Sequence, residues 1–83
     1  MNEFRIILLK QPQKYLDRLS DKDAEHIRKA LVKLKTIDGD ITVMHGMNNM
    51  FRLRVRDWRV IFEIKDDTII VVQTIGPRGD VYK

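Results

Sequence analysis

The 83-residue chain contains no cysteine, so neither a disulfide nor a thiolate zinc site can hold it together. That absence fits a reducing compartment. No apolar run is longer than that from Ile6 to Leu9, which is far too short to cross a bilayer. The opening MNEFRIILLK lacks the basic start and long apolar core of a signal peptide. A cytoplasmic setting with no membrane partner is therefore expected. With only two prolines and four glycines, no linker, repeat or low-complexity tract divides the chain, and one domain over residues 1–83 is expected. There is no glycine-rich nucleotide loop and no cluster with metal-ligand spacing, so the sequence calls for no cofactor and no metal. Histidine, the usual proton-transfer group of nucleases, occurs twice, as His26 and His45.

What the chain has in plenty is positive charge. The net charge is +4 and the pI about 9.6. This balance points to nucleic acid, an anionic membrane or an acidic protein. Hydrophobic content of 43% against 34% charged residues describes a folded domain with a very polar surface.

Alternation and periodicity predict the elements. Glu3 to Leu9 reads as a strand. Gln11-Pro12 breaks it, and a short helix runs to about Leu19. Ser20 caps a second helix through the amide of Asp23, with Asp21 and Asp23 at its positive end. Ala24, Ile27, Leu31 and Leu34 form the apolar stripe of this second helix, which Asp38-Gly39-Asp40 ends. Lys29, Lys33 and Lys35 lie off the stripe, to solvate the helix or flank a partner's groove. Ile41 to Asn49 reads as a loop. Strands follow at Phe51–Arg56, Trp58–Ile64 and Thr68–Ile75, the last two separated by a turn at Asp66-Asp67. Gly76-Pro77 stops the third, and Asp80 to Lys83 is a last extended piece. The predicted class is α+β: an N-terminal strand, an αα-hairpin and a three-stranded antiparallel meander, in the order β-α-α-β-β-β.

The stretch FRLRVRDWRV, residues 51 to 60, carries the functional signal. Strand alternation puts Phe51, Leu53 and Val55 on one face and Arg52, Arg54 and Arg56 on the other. In the next strand Arg59, Ile61 and Glu63 share the outward face, with Glu63 its one acid. Like charges two apart on a strand repel unless anions screen them. Two readings follow. The outward face is simply solvated, with Arg59 paired to Glu63, or it receives an anion. Arginine's planar fork of donors matches phosphate oxygens.

Residues 46 to 83, GMNNMFRLRVRDWRVIFEIKDDTIIVVQTIGPRGDVYK, closely resemble the RelE/ParE toxin superfamily of toxin–antitoxin modules. The shared run is a glycine-containing loop, an aromatic-Arg-Leu-Arg strand, an aromatic-Arg-Val strand, an acidic turn, a Val/Ile-rich strand and a Gly-x-Arg…Val-Tyr ending. The resemblance implies a RelE-like fold and a cognate antitoxin as partner. It also implies a ribosome-dependent endonuclease that cuts mRNA in the ribosomal A site without a metal. Carried over by position, the catalytic residues are Arg52, Arg59, Arg78 and Tyr82. The expected RNA-binding residues are Arg52, Arg54 and Arg56 of the basic strand and His45 in the loop just before it. RelE-type enzymes often have lysine at the positions of Arg52 and Arg54, so both depart from the family's pattern. The alternatives are a ParE-type gyrase inhibitor without nuclease activity and a non-catalytic nucleic-acid-binding domain.

Overall fold

A computed structural model describes residues 3–78 of the chain. The strands are β1 (Arg5–Leu8), β2 (Asp40–Val43), β3 (Met50–Val55), β4 (Trp58–Lys65) and β5 (Ile69–Pro77), and the helices are α1 (Lys10–Arg18) and α2 (Asp21–Leu34). The strands form one sheet in the order β1-β5-β4-β3-β2. β3, β4 and β5 make the expected antiparallel meander. Two edges extend it. β1 pairs in parallel with β5, from Arg5 opposite Ile69 to Leu8 opposite Val72. β2 pairs antiparallel with β3. The loop expected over Ile41–Asn49 is thus a strand in its first part: Asp40-Ile41-Thr42-Val43 is short, and its β-branched residues suit a pleated edge.

Both helices lie on one face. α2 buries Ala24, Ile27, Leu31 and Leu34, the stripe its periodicity predicts. Ser20 is its N-cap, and the Oγ accepts from the Asp23 amide at 3.2 Å. Asp38 N–H to the Lys33 carbonyl and Ile37 N–H to the Leu34 carbonyl close its C-terminus, with Ile37 in the left-handed region at φ 55°. Gly39 then carries the chain so close to the sheet that a Cβ there would stand 2.7 Å from Leu53 Cδ1. Leu53, Val60, Phe62, Ile70, Val72 and Ile75 form the sheet's half of the core and are essentially sealed. Phe51 and Phe62 stack across β3 and β4 with centroids 5.4 Å apart. No helix among the described residues is long and apolar enough to cross a membrane.

One irregularity governs the β5 side of the sheet. Ile61 faces Thr74, but Phe62 faces Val72, so Gln73 is an extra residue. A one-residue insertion switches the face of every side chain beyond it. Without it, Ile75 would point away from the helices. With it, Ile75 joins Val72 in the core, and Gly76 moves to the open face. The switch is clamped by a side chain. Past Val72, β1 no longer flanks β5. There Gln11 of α1 takes the place of a strand: its Nε2 donates to the Ile75 carbonyl at 2.8 Å, and its Oε1 accepts the Ile75 amide at 2.9 Å. Gln11 therefore does more than break the first strand.

A Gln11→Glu variant keeps the shape of the clamp but cannot donate to the Ile75 carbonyl. It is expected to lose about 1–3 kcal/mol of stability in urea denaturation at pH 7. An unchanged midpoint would show that the clamp contributes nothing.

Candidate functional site

The open face is organised in cross-strand rows. Asp40, Arg54, Arg59 and Gly76 face one another in turn across β2, β3, β4 and β5. The next row is Thr42, Arg52, Ile61 and Thr74. Side chains directly opposite in such a sheet have Cβ atoms about 4.5–5.5 Å apart, so Arg54 and Arg59 are immediate neighbours of like sign. Asp40 brings a second acid to a face on which only Glu63 was expected. Its strand is only four residues long and follows a glycine turn, so the sequence pattern there is that of turn and loop.

Arg59 is the centre of the cluster. It is only 9% exposed, while Arg54 is exposed and Arg52 half-buried. The Arg59 guanidinium folds back onto the β3–β4 turn, where Nη1 donates to the Trp58 carbonyl at 3.0 Å and to the Arg56 carbonyl at 3.4 Å. The Asp57 carbonyl between them accepts the backbone N–H of Arg78 at 2.7 Å. Three successive carbonyls of one tight turn thus anchor both Arg59 and the strand end bearing Arg78. Gly76 opposite Arg59 presents no side chain on the open face, which leaves room for the guanidinium.

The expected alternative partner of Arg59 is not its partner. Glu63 lies four residues along β4, about 13 Å away at strand rise, and its Oε1 accepts from Gln73 Nε2 at 3.1 Å instead. Nη2 and Nε of Arg59 have no hydrogen-bond partner among the described residues. The guanidinium is pinned to the turn through Nη1. Burial depresses the Arg59 pKa below the usual arginine value, followed by repulsion from Arg54, Arg78 and Arg52, while Asp40 acts weakly in the opposite sense. Of these cations, Arg54 stands directly opposite Arg59 across the strands, and Arg78 is tied by its backbone to the same turn.

Two of the expected RNA-binding residues are placed differently. Arg56 is not on the strand: β3 ends at Val55, and Arg56 sits in the turn with φ 54°. A two-residue hairpin demands a twist that strand geometry does not supply, so Arg56 leaves the alternation and serves Arg59 through its carbonyl. His45 is exposed in the turn after β2. It lies beyond the Val43–Phe51 pair, at the opposite end of the sheet from the Arg54–Arg59 pair, and the fold does not bring it to the cluster. Tyr82 lies outside the described residues. The sequence signal that would have found Asp40 is the run Asp-Ile-Thr-Val. No sequence signal marks Gln11 as a strand surrogate.

With the fold and cluster in view, the class is that of small basic toxins built on a mixed sheet with an αα-hairpin. The family model for the ParE toxin of the type II toxin–antitoxin system parDE matches residues 6–82. The chain belongs to this family, within the RelE/ParE superfamily, and is a toxin of a type II toxin–antitoxin module. No curated protein matches the sequence at a significant level. Among solved structures the fold is similar to the archaeal RelE–RelB complex from Pyrococcus horikoshii. There the identity is 23% and the TM-score 0.78, over 94% of this chain and 98% of that one. It is also similar to the RelB–RelE antitoxin–toxin complex from Methanococcus jannaschii, at 21% identity and TM-score 0.73 over 92% and 94% of the two chains. A mutant of the Escherichia coli toxin RelE in the free state matches at 16% identity and TM-score 0.73, over 98% and 87%.

Burying a guanidinium among three others costs stability, because two such charges 4 Å apart repel by about 1 kcal/mol even in water. An apolar side chain of similar length at this position avoids that cost. Arg59→Met is expected to melt about 4–8 °C above the parent at low ionic strength, equivalent to about 1 kcal/mol, with the gap closing as salt rises. A variant that melts below the parent at every salt concentration would show that Arg59 is a net stabiliser.

Proposed function

We propose that this toxin is a metal-independent endoribonuclease that cuts messenger RNA in the ribosomal A site. The observation that carries the reading is the Arg59 guanidinium, held on the turn by two carbonyls, opposite Arg54 across the strands and repelled by Arg54, Arg78 and Arg52. Like charges so close are relieved by an anion.

The chemistry such a cluster serves is attack of a ribose 2′-oxygen on the adjacent phosphorus. The 2′-OH loses its proton, the new P–O2′ bond forms, and the bond to the 5′-oxygen breaks as that oxygen gains a proton. A 2′,3′-cyclic phosphate and a 5′-hydroxyl end result. Negative charge grows on the non-bridging oxygens of the phosphorane. Arg59 and Arg78 are assigned to that charge, since fixed donors aimed at developing charge are among the strongest catalytic contributions. Arg52 and Arg54 hold the phosphate and neutralise it. Tyr82 is assigned to proton transfer or to stacking on a base. Weak proton-transfer groups make a slow enzyme on free RNA, and the ribosome supplies the missing orientation of the strand. Two of the similar structures are toxin–antitoxin complexes with RelB, which supports a cognate antitoxin as the partner that silences this chain.

A second reading is favoured by the family model itself, whose description is that of a ParE toxin: inhibition of DNA gyrase with no cleavage of RNA. Induction of the chain in bacteria, with 5′ ends mapped on translated messages, separates the two. The nuclease reading expects new 5′ ends inside reading frames within minutes. It also expects at least a hundredfold fewer such ends with Arg59→Ala or Arg78→Ala, the usual loss for one charge-stabilising donor. Intact messages accompanied by a DNA-damage response would establish the gyrase reading instead. Cleavage unchanged in both variants would remove these arginines from the mechanism.

A further inference from the structure

α1, on the helix-bearing face of the sheet, carries a second cationic feature. Lys10, Lys14 and Arg18 recur every four residues, so they form one ridge along the helix. At helical rise the ridge spans about 12 Å, with its charges about 6 Å apart. The ridge borders a concavity of about 360 Å³ lined by Lys10, Gln11, Lys14, Tyr15 and Arg18. None of these residues is acidic. Like charges at i and i+4 weaken a helix, and the first turn of α1 contains no acid to offset Lys10. Arg18 sits in the last turn, where the helix dipole favours it, but Lys10 in the first turn has no such support.

The rest of the concavity suits one kind of anion. Tyr15 is half-buried, packed against the core on one side and lining the hollow on the other. Cations at even spacing beside an aromatic ring are the recurrent recipe for single-stranded nucleic acid: the charges track the backbone, and the ring stacks a base. Gln11 bonds Ile75 through both amide atoms, which fixes its side chain as one wall of the hollow. The location is equally specific. Ile75 adjoins Gly76, the end of the Arg54–Arg59 row. The ridge therefore starts where that row reaches the edge of β5, past the point at which β1 stops.

We propose that the Lys10–Lys14–Arg18 ridge is a second phosphate-tracking surface, which holds single-stranded RNA continuous with the strand at the arginine cluster. The proposal rests on the reading of this toxin as one that acts on RNA. Its test uses binding without the ribosome, and so separates it from the cleavage experiment.

A fluorescein-labelled 12-nucleotide oligouridine is titrated with the full chain from 50 to 400 mM salt, followed by anisotropy. Alanine favours helix, so the triple variant Lys10→Ala, Lys14→Ala, Arg18→Ala keeps α1 folded. It is expected to flatten the plot of log affinity against log salt by about 2, three contacts at about 0.7 each, and to weaken binding at least tenfold near 100 mM. The control Lys22→Ala, Lys29→Ala, Lys33→Ala removes the same charge from α2 and is expected to flatten the plot by less than 0.7, under one contact. Equal flattening by the two triples would reduce the effect to net charge and overturn the proposal. So would no flattening by the α1 triple, or no binding of RNA by the parent. A ridge that binds a poly-glutamate peptide but not oligouridine would make it a protein-docking surface and would likewise overturn the proposal.

Discussion

The extra residue in β5 is the constraint on which the site depends. Strand alternation is a strict two-state code, and Gln73 switches it. Before the switch, β5 faces the helices with Ile70 and Val72. After it, Ile75 takes over that duty, and the even-numbered positions are released to the open side. Gly76 then lies beside Arg59, and the chain leaves the sheet so that Arg78 reaches the β3–β4 turn. A regular strand would have pointed this segment's charge toward the helices, where no partner awaits it. Gln11 holds the switched segment by both its amide and its carbonyl, so α1 and the arginine cluster are mechanically one unit.

The cluster itself works against the fold. Desolvation and three like charges bear on Arg59, and the two carbonyls that accept from Nη1 offset this only in part. The core supplies the remainder: Phe62, Val60, Leu53 and Ile75 are sealed directly behind the row. Stability is spent on a preorganised cation, which is the usual bargain at functional sites. An anion arriving at the open face meets donors already oriented, and binding relieves repulsion instead of creating order from a flexible chain.

Much of this was legible in the sequence, and the failures have identifiable causes. The strict alternation of Phe51 to Val55 and Trp58 to Ile64 placed the arginines of both strands on one face, and the stripe from Ala24 to Leu34 defined α2 with its Ser20 cap. β2 was misread because four residues after a glycine turn carry too little pattern to stand apart from a loop. Asp40 was lost with it. Arg56 continued the alternation on paper, but the hairpin turn took it out of the strand. The pairing of Arg59 with Glu63 failed on distance, since residues that share a face of a strand are not thereby in contact. The bulge at Gln73 and the reach of Gln11 across 64 positions are tertiary facts. No local periodicity encodes them.

The central claim is that the open face is a destabilised cation cluster awaiting phosphate. Its most direct test is the melting temperature of the purified chain in sodium phosphate against sodium chloride at matched ionic strength. Mass action stabilises a protein by whatever binds its native state. The melting temperature is expected to rise with phosphate well beyond the chloride control, and the excess to vanish in Arg59→Met. Identical curves in the two salts would contradict the claim.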